Sequence, residues 1–308
     1  MILTVCPNPS IDCTIELDNL NVGMLNRIRN KIETYSGKAL NVAMGIARLQ
    51  GNAMATGFMF QESRSMFEQT LKREGVAFKF INNEGSARTN YKIIDNKSML
   101  TEINDKGQSV SRNKQIELIN LVKKLAPRSS VTVMSGSLPQ GVDASFYHEV
   151  LSVIPKSVKK IVDAEHQNID EALKGEVFMI KPNLRELEGF TGRTLRTKGD
   201  IIASANLFIE RGVKVVLVSL GADGAIITNG TENYFCKSAT VAINSTVGAG
   251  DCMLSSVCVE LEKGNEDLKE LLRVSVASGT AAITTRGTNL FYKDKFEEIF
   301  EKLVVEKI

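Results

Sequence analysis

The chain has 308 residues, of which 43% are hydrophobic and 24% are charged, as in an ordinary soluble globular protein. Its 38 basic and 36 acidic residues give a net charge of +2 without a basic block, which argues against nucleic-acid binding and favours small ligands. No basic leader precedes an apolar segment and no apolar run approaches membrane-spanning length, so we expect a cytoplasmic protein. The five cysteines form no C-x-x-C pair, so we expect reduced thiols.

The first half of the chain is predicted to contain strands, helices and two less regular β-rich patches. Residues 2–6 form a short apolar strand candidate that stops at Pro7, and Asp12 follows just beyond its end. A helix, a strand and a helix are then predicted, at residues 38–50, 53–60 and 63–74. Residues 14–35 and 87–103 alternate loosely, and we expect these two patches to form a small β-layer apart from the main body.

From residue 113 onward, helix and strand candidates alternate regularly. The helix candidates cover residues 113–126, 143–153 and 197–211, and the strand candidates cover residues 130–134, 159–163, 177–180 and 213–219. Strands separated by helix-length segments predict a parallel sheet covered on both faces. A hairpin at 224–236 and helices at 248–263, 266–283 and 293–306 follow. We therefore predict one α/β domain over residues 1–308, with lid strands from about 14–35 and 87–103.

The segment at residues 244–253, with the sequence N-S-T-V-G-A-G-D-C-M, opens a long apolar helix candidate. Gly248 and Gly250 flank Ala249, so the backbone can approach a ligand closely. Successive N–H groups at a helix start suit an anion such as a transferring phosphoryl group. Asp251 beside that group could take a proton from an attacking hydroxyl. Taken alone, the pattern fits an ordinary helix start with an acidic residue equally well.

Four further loops that carry glycine or asparagine follow strand candidates, at residues 36–41, 135–139, 181–186 and 219–224. In a parallel sheet such loops lie at one edge, where ligands bind. Each loop is a weak signal by itself, since Gly37 and Lys38 before a helix also fit a simple capping turn. The P-loop spacing G-x-x-x-x-G-K-[ST] is absent. The motif G-x-G-x-x-G is also absent, because Met253 occupies the position of its last glycine.

Six motifs occur in order along the chain: N-P-S-I-D (8–12), G-K-A-L-N (37–41), G-S-L-P (136–139), K-P-N-L-R-E (181–186), S-L-G-A-D-G (219–224) and T-V-G-A-G-D (246–251). Together they resemble the ribokinase-like carbohydrate kinases, also called the pfkB family. The resemblance extends from about residue 2 to residue 285. Within the family, R-T-N-Y-K (88–92), K-P-N-L-R-E-L-E (181–188) and S-T-V-G-A-G-D-C-M (245–253) are most similar to bacterial 1-phosphofructokinases, with tagatose-6-phosphate kinases close behind.

The resemblance implies a three-layer α/β/α fold with a mainly parallel sheet and a small β-sheet lid. It also implies an ATP- and Mg²⁺-dependent kinase that converts a ketohexose phosphate to a bisphosphate. The reaction implied by the most similar relatives is the conversion of fructose 1-phosphate to fructose 1,6-bisphosphate. Asp251 would be the base, and the N–H groups of Gly248, Ala249 and Gly250 would form an anion hole.

The resemblance assigns the remaining site residues to three ligands. The implied substrate-binding residues are Asp12 and Asn41 for the sugar hydroxyls, Lys38, Arg27 and Arg88 for the phosphate, and Gly37 beside them. The implied nucleotide residues are Asn183, Ser219, Gly221 and Gly224. Asn183 and Glu186 would organise magnesium, largely through water. In many relatives the lid strands pair with a second subunit, so we also expect a homodimer through the lid.

The chain departs from the family pattern at Ser36 and Ala39, where G-G-K-G is usual, and at Cys252, where serine is common. Three alternatives stay open. A tagatose-6-phosphate kinase or a 6-phosphofructokinase would share most of these motifs. A kinase for an unphosphorylated sugar or nucleoside is disfavoured by the cations assigned to the phosphate. A catalytically silent sugar-phosphate or nucleotide sensor is disfavoured by the intact set of Asp251, Asn183 and Glu186.

Overall fold

A computed structural model describes residues 1–97, 99–164, 166–285 and 290–308, so residue 98 of the predicted patch 87–103 lies outside the described residues. The strands are β1 (Ile2–Cys6), β2 (Ser10–Glu16), β3 (Asn30–Ser36), β4 (Ala53–Phe60), β5 (Ala77–Asn83), β6 (Arg88–Ile94), β7 (Leu100–Asn104), β8 (Val131–Ser135), β9 (Lys159–Asp163), β10 (Met179–Ile180), β11 (Val215–Ser219), β12 (Ala225–Thr228), β13 (Asn233–Cys236) and β14 (Val305–Lys307). The helices are α1 (Lys38–Arg48), α2 (Arg64–Arg73), α3 (Arg112–Leu125), α4 (Ser145–Ser152), α5 (His166–Leu173), α6 (Leu184–Thr191), α7 (Lys198–Glu210), α8 (Ala249–Glu262), α9 (Leu268–Ala282) and α10 (Lys293–Lys302).

Ten strands form the main sheet, in the order β14-β13-β12-β11-β10-β9-β8-β1-β4-β5. The strands from β11 to β5 in that order are mutually parallel, and β12, β13 and β14 extend the sheet antiparallel at one edge. Strands such as β1 are mostly apolar and are buried along their whole length, as expected where helices flank both faces of a parallel sheet. The predicted α/β fold with a mainly parallel central sheet is confirmed.

The remaining four strands form a small sheet in the order β3-β2-β6-β7. Strands β2 and β6 run parallel and place Asp12 beside Asn90, whereas the two outer pairings are antiparallel. This sheet is the expected lid. It takes its strands from the two predicted patches, although β2 begins at Ser10, so Asp12 lies within a lid strand and not just beyond β1.

Some element boundaries differ from the predictions for local reasons. The last helix was expected to reach residue 306, but α10 ends at Lys302, and buried Leu303 leads into β14, which pairs with β13. Strand β5 was not predicted, although its half-buried Phe78 and Phe80 alternate with the exposed residues Ala77 and Lys79. Within the described ranges, no helix has the length and apolar character needed to cross a bilayer.

Candidate active site

A cavity of about 570 Å³ lies between the carboxyl edge of the main sheet and the lid. Residues at or just after the ends of five parallel strands contribute to its wall: Asn8, Gly136, Asp163, Lys181 and Ser219. This is the position where open α/β sheets bind their ligands, because the loops that leave the strand ends converge there. The small sheet closes the cavity from the opposite side with side chains of β2 and β6.

Almost all predicted site residues meet in this one cavity. Its lining includes Asp12, Gly37, Lys38, Asn41, Arg88, Asn183, Glu186, Ser219, Gly221, Gly224, Gly248, Ala249, Gly250 and Asp251. Arg27 does not line it, and lies exposed on the connection between β2 and β3. The role of Arg27 at the sugar phosphate therefore stays a prediction that the geometry of one chain does not support.

The glycine-rich turn before α8 has the backbone expected of a ligand-binding helix start. Gly248 is the N-cap of α8 and has a φ of +80°, which a residue with a side chain rarely adopts. A Cβ atom at Gly250 would lie 3.0 Å from the Nζ atom of Lys181, so the backbone at Gly250 packs closely against this ammonium group. The positive end of the α8 dipole and a lysine therefore converge at the same part of the cavity, which suits an anion.

Asp251 lies in the first turn of α8 and is 6% exposed. Its Oδ2 atom accepts a hydrogen bond from Nδ2 of Asn41 at 2.8 Å. Burial raises the pKa of Asp251 to about 6, although the positive charge of Lys38 opposes this shift. A carboxylate whose pKa lies close to the working pH is well suited to act as a general base.

Sequence reasoning missed the buried carboxylate of Asp163 at the end of β9. Its Oδ1 atom accepts from Nζ of Lys38 at 3.2 Å, and its Oδ2 atom lies 3.6 Å from Nζ of Lys181. Burial alone would raise the pKa of Asp163, but Lys181 and Lys38 outweigh it and lower the pKa. Asp163 in turn raises the pKa of Lys38, so both groups are held in their charged forms. The acidic residue that ends an apolar strand candidate was the available signal.

Asn90 and Lys92, two further cavity residues on β6, were also missed. Side chains at alternate positions of a strand share one face, so Arg88, Asn90 and Lys92 all face the cavity. The motif R-T-N-Y-K contained this period-two signal, although only its arginine received a role. Both new residues contact Asp12, through Nδ2 of Asn90 at 3.2 Å and Nζ of Lys92 at 3.2 Å.

Several buried polar atoms in the cavity wall have no hydrogen-bond partner among the described residues. They are Oδ1 of Asn8, Oδ1 of Asn41, Oδ1 of Asn90, Nε of Arg88 and Oγ1 of Thr280. Buried polar atoms are nearly always hydrogen-bonded in proteins, so unpaired atoms that cluster in one cavity indicate a polar ligand. The guanidinium nitrogen among them favours an anionic group.

Asn183 and Glu186 form a capping box at the start of α6. Oδ1 of Asn183 accepts from the Glu186 N–H at 2.9 Å, and Oε2 of Glu186 accepts from the Asn183 N–H at 2.8 Å. The pair therefore has a structural role that stabilises the helix start. Both residues also line the cavity, and Oε1 of Glu186 takes no part in the box. The part of the chain described here holds no cluster of three or more His, Cys, Asp or Glu side chains fit to bind a metal.

Comparison with known proteins agrees with this geometry. The family model described as pfkB family carbohydrate kinase matches residues 8–295. The chain is 32% identical to a 1-phosphofructokinase of Borreliella burgdorferi, over 91% of both chains. It is 27% identical to a tagatose-6-phosphate kinase of Staphylococcus epidermidis over the full length of both. A solved structure of phosphofructokinase-2 from Escherichia coli with substrates and products superposes with a TM-score of 0.91, at 26% identity over 98% of each chain. The chain therefore belongs to the pfkB family of carbohydrate kinases and is a phosphotransferase.

Proposed function

We propose that the chain transfers a phosphoryl group from ATP to a hydroxyl of a ketohexose phosphate, with fructose 1-phosphate as acceptor and fructose 1,6-bisphosphate as product. The observation that carries this proposal is the meeting of Asp251, Lys38 and Arg88 in one cavity. A buried base lies there beside a helix start suited to phosphate, and two cations are available for a phosphate already on the sugar. The names of the relatives, 1-phosphofructokinase and tagatose-6-phosphate kinase, support the same reaction class.

In the proposed reaction, Asp251 accepts the proton of the sugar hydroxyl as the hydroxyl oxygen bonds to the γ-phosphorus of ATP. The bond between that phosphorus and the bridging oxygen of ADP breaks, and ADP leaves with the electron pair. Asn41 holds the Asp251 carboxylate in place through its 2.8 Å hydrogen bond. Gly248, Ala249 and Gly250 line the cavity, and their N–H groups would stabilise the charge that develops on the transferring group.

Magnesium fits the site as an ion that keeps much of its water. Mg²⁺ usually binds to one or two carboxylates and the substrate phosphates, and gives up its hydration shell reluctantly. Glu186 offers such a carboxylate in the cavity wall, and its Oε1 atom takes no part in the capping box. When bound, the ion would offset negative charge on the phosphates of ATP. Asn183, whose Oδ1 atom caps α6, would act through water.

Glu186→Gln is expected to raise the Mg²⁺ concentration needed for half-maximal rate by about tenfold, because the charge that attracts the hydrated ion is lost. The melting temperature should hardly change, since glutamine can still accept from the Asn183 N–H and keep the capping box. Rates over a Mg²⁺ series together with thermal unfolding measure both effects. Glu186→Ala is the matched control that loses the box as well. An unchanged Mg²⁺ dependence in both variants, with a lowered melting temperature in Glu186→Ala alone, would leave Glu186 only its capping role.

An assay that couples ADP release to a panel of sugars and sugar phosphates tests the proposed function. We expect the highest kcat/KM with fructose 1-phosphate. A higher value for fructose 6-phosphate or tagatose 6-phosphate would change the acceptor but not the reaction class. Free fructose as the best acceptor would overturn the role of Lys38 and Arg88. Ligand binding without any turnover would favour a sensor.

We also propose a homodimer formed through the lid. Large apolar side chains of the lid strands and of the connection between β2 and β3 are exposed: Val22, Met24, Leu25, Ile28, Tyr91 and Ile103. Apolar exposure on this scale is unusual for a surface that faces only water. Sedimentation velocity should show a dimer at micromolar concentration, and Leu25→Asp together with Ile103→Asp should shift it to the monomer. A monomeric wild-type protein would contradict the proposal.

A further inference from the structure

The lid wall of the cavity contains a buried ion pair to which sequence reasoning assigned no function. Lys92 on β6 is 8% exposed, and its Nζ atom donates to Oδ2 of Asp12 at 3.2 Å. Asp12 is 6% exposed, and both side chains line the cavity. A buried ion pair usually adds little stability compared with apolar packing, because both charges lose their hydration. The position of the pair therefore points to a role toward the ligand.

The carboxylate of Asp12 is fully occupied by donors. Oδ1 accepts from Oγ of Ser10 and Nδ2 of Asn90, and Oδ2 accepts from Oγ of Ser36 and Nζ of Lys92. A carboxylate has about four lone-pair positions, so these four donors use all of them. Lys92 alone among the four donors carries a positive charge. A sugar hydroxyl can replace one of the three neutral donors at Asp12, while the charge balance with Lys92 stays intact.

The charges of the cavity wall show why this balance matters. Among the described residues, four cationic and five acidic side chains line the cavity: Lys38, Arg88, Lys92 and Lys181, against Asp12, Glu102, Asp163, Glu186 and Asp251. Under the proposed function, two anionic substrates, ATP and the sugar phosphate, bind in this cavity. Like charges repel strongly where water is partly excluded. Without Lys92, the Asp12 carboxylate would add one uncompensated negative charge on the side where the sugar phosphate is expected to bind.

We propose that Lys92 is a specificity-determining residue that cancels the charge of Asp12, so that a hydroxyl-binding carboxylate can coexist with a phosphorylated sugar. This inference rests on the proposed function. Lys92 acts through Asp12 and is a positioning residue, whereas Arg88 and Lys38 remain the groups assigned to the phosphate itself. Ser36, which stands where relatives usually have glycine, adds a neutral donor to the same carboxylate.

The test compares a charged and an uncharged ligand of the same site. For each variant, the KM of fructose 1-phosphate and the inhibition constant of free fructose as a competitor are measured at pH 8. Lys92→Met is expected to weaken the binding of fructose 1-phosphate by a factor at least about tenfold larger than the factor for free fructose. Only the phosphorylated sugar is charged, so only its binding is opposed by the uncompensated charge of Asp12. The ratio of the two constants is the readout, since general damage to the site weakens both ligands alike.

Three further variants separate charge from structure. Lys92→Gln keeps a hydrogen-bond donor for Asp12 but loses the positive charge. It should lower the preference for fructose 1-phosphate over free fructose, and it provides the test if Lys92→Met does not fold. The double variant Asp12→Asn with Lys92→Met restores the charge balance, so its ratio should return toward the wild-type value while both ligands bind more weakly. Ser36→Gly is the matched control, since it removes a neutral donor from Asp12 and should leave the ratio near that of the wild type.

Two outcomes would overturn the inference. An equal loss for both ligands in Lys92→Met and Lys92→Gln would show that the pair is only structural. A double variant that keeps the low ratio of the single variants would show that Lys92 contacts the phosphate directly. Failure of the proposed function has a different signature, because the wild-type protein would then turn over no sugar phosphate in the acceptor panel.

Discussion

Asp251→Asn is expected to lower kcat by about 10² to 10⁴, the usual contribution of a positioned general base, with little change in nucleotide affinity. Asparagine keeps the shape of the side chain and can still accept the hydrogen bond from Nδ2 of Asn41, now 2.8 Å from Oδ2. It cannot take the proton of the attacking hydroxyl. Steady-state ADP release and calorimetric nucleotide binding measure the two effects. Retained turnover would remove Asp251 from the mechanism.

The wild-type enzyme should also lose kcat/KM as the pH falls below about 6. Burial raises the pKa of Asp251 to about 6, and the protonated carboxyl cannot accept a further proton. The phosphate of the acceptor ionises in the same range, with a pKa near 6. The residual rate of Asp251→Asn is therefore the control, because it keeps the substrate ionisation and lacks that of Asp251. An identical acid limb in both proteins would assign the limb to the substrate.

The same carboxylate is expected to reduce stability at the pH where it works. The pKa of Asp251 in the folded protein lies above that of an exposed aspartate, so the folded state binds more protons between about pH 4 and about pH 6. Stability from this group is present at low pH and is lost as the pH rises through that window, by about 3 kcal/mol. Asp251→Asn should therefore unfold at higher denaturant than the wild type at pH 7.5, with the difference vanishing near pH 4. Such a result would separate loss of activity from loss of fold.

The parts of the fold and site that sequence reasoning predicted depend on local chemistry. Strands β4 and β9 have the predicted boundaries, because short apolar runs between turn residues identify buried strands. The helix start at residues 248–251 was predicted from its two glycines and its acidic residue, whereas its link to a phosphoryl group needed the other motifs, since the turn alone fits an ordinary helix start equally well. The other motif loops were predicted to lie at one sheet edge because each follows a strand candidate of a parallel sheet.

The parts that were missed depend on contacts between residues distant in sequence. Lys38 and Asp163 are 125 positions apart, and their ion pair forms because α1, which carries Lys38, packs near β8, the strand that pairs with β9. Lys92 meets Asp12 only because β2 and β6 pair in parallel with one register. The position of Arg27 outside the cavity likewise follows from the path of a long connection whose local sequence resembles a strand.

Arg88→Met is expected to raise the KM for fructose 1-phosphate by about tenfold or more. Arg88 lines the cavity, and its buried Nε atom has no partner among the described residues, so the guanidinium is available to a ligand. A charge-assisted contact contributes roughly 1.5–3 kcal/mol, which corresponds to about 10-fold to 150-fold in affinity. The affinity for free fructose should hardly change, because the lost contact is assigned to the phosphate.

Arg88 gives a clearer test of phosphate recognition than Lys38. The Lys38 ammonium already donates to Asp163, and its charge opposes the raised pKa of Asp251, so Lys38→Met would disturb the base as well as the phosphate. Arg29→Met is the matched control for Arg88, since Arg29 is exposed on the lid connection and pairs with Asp18 at 2.9 Å. Arg27→Met in the same series tests the role predicted for that residue. If Arg88→Met weakened the binding of free fructose and of fructose 1-phosphate equally, Arg88 would shape the pocket without holding the phosphate. The preference for a phosphorylated acceptor would then need another cause.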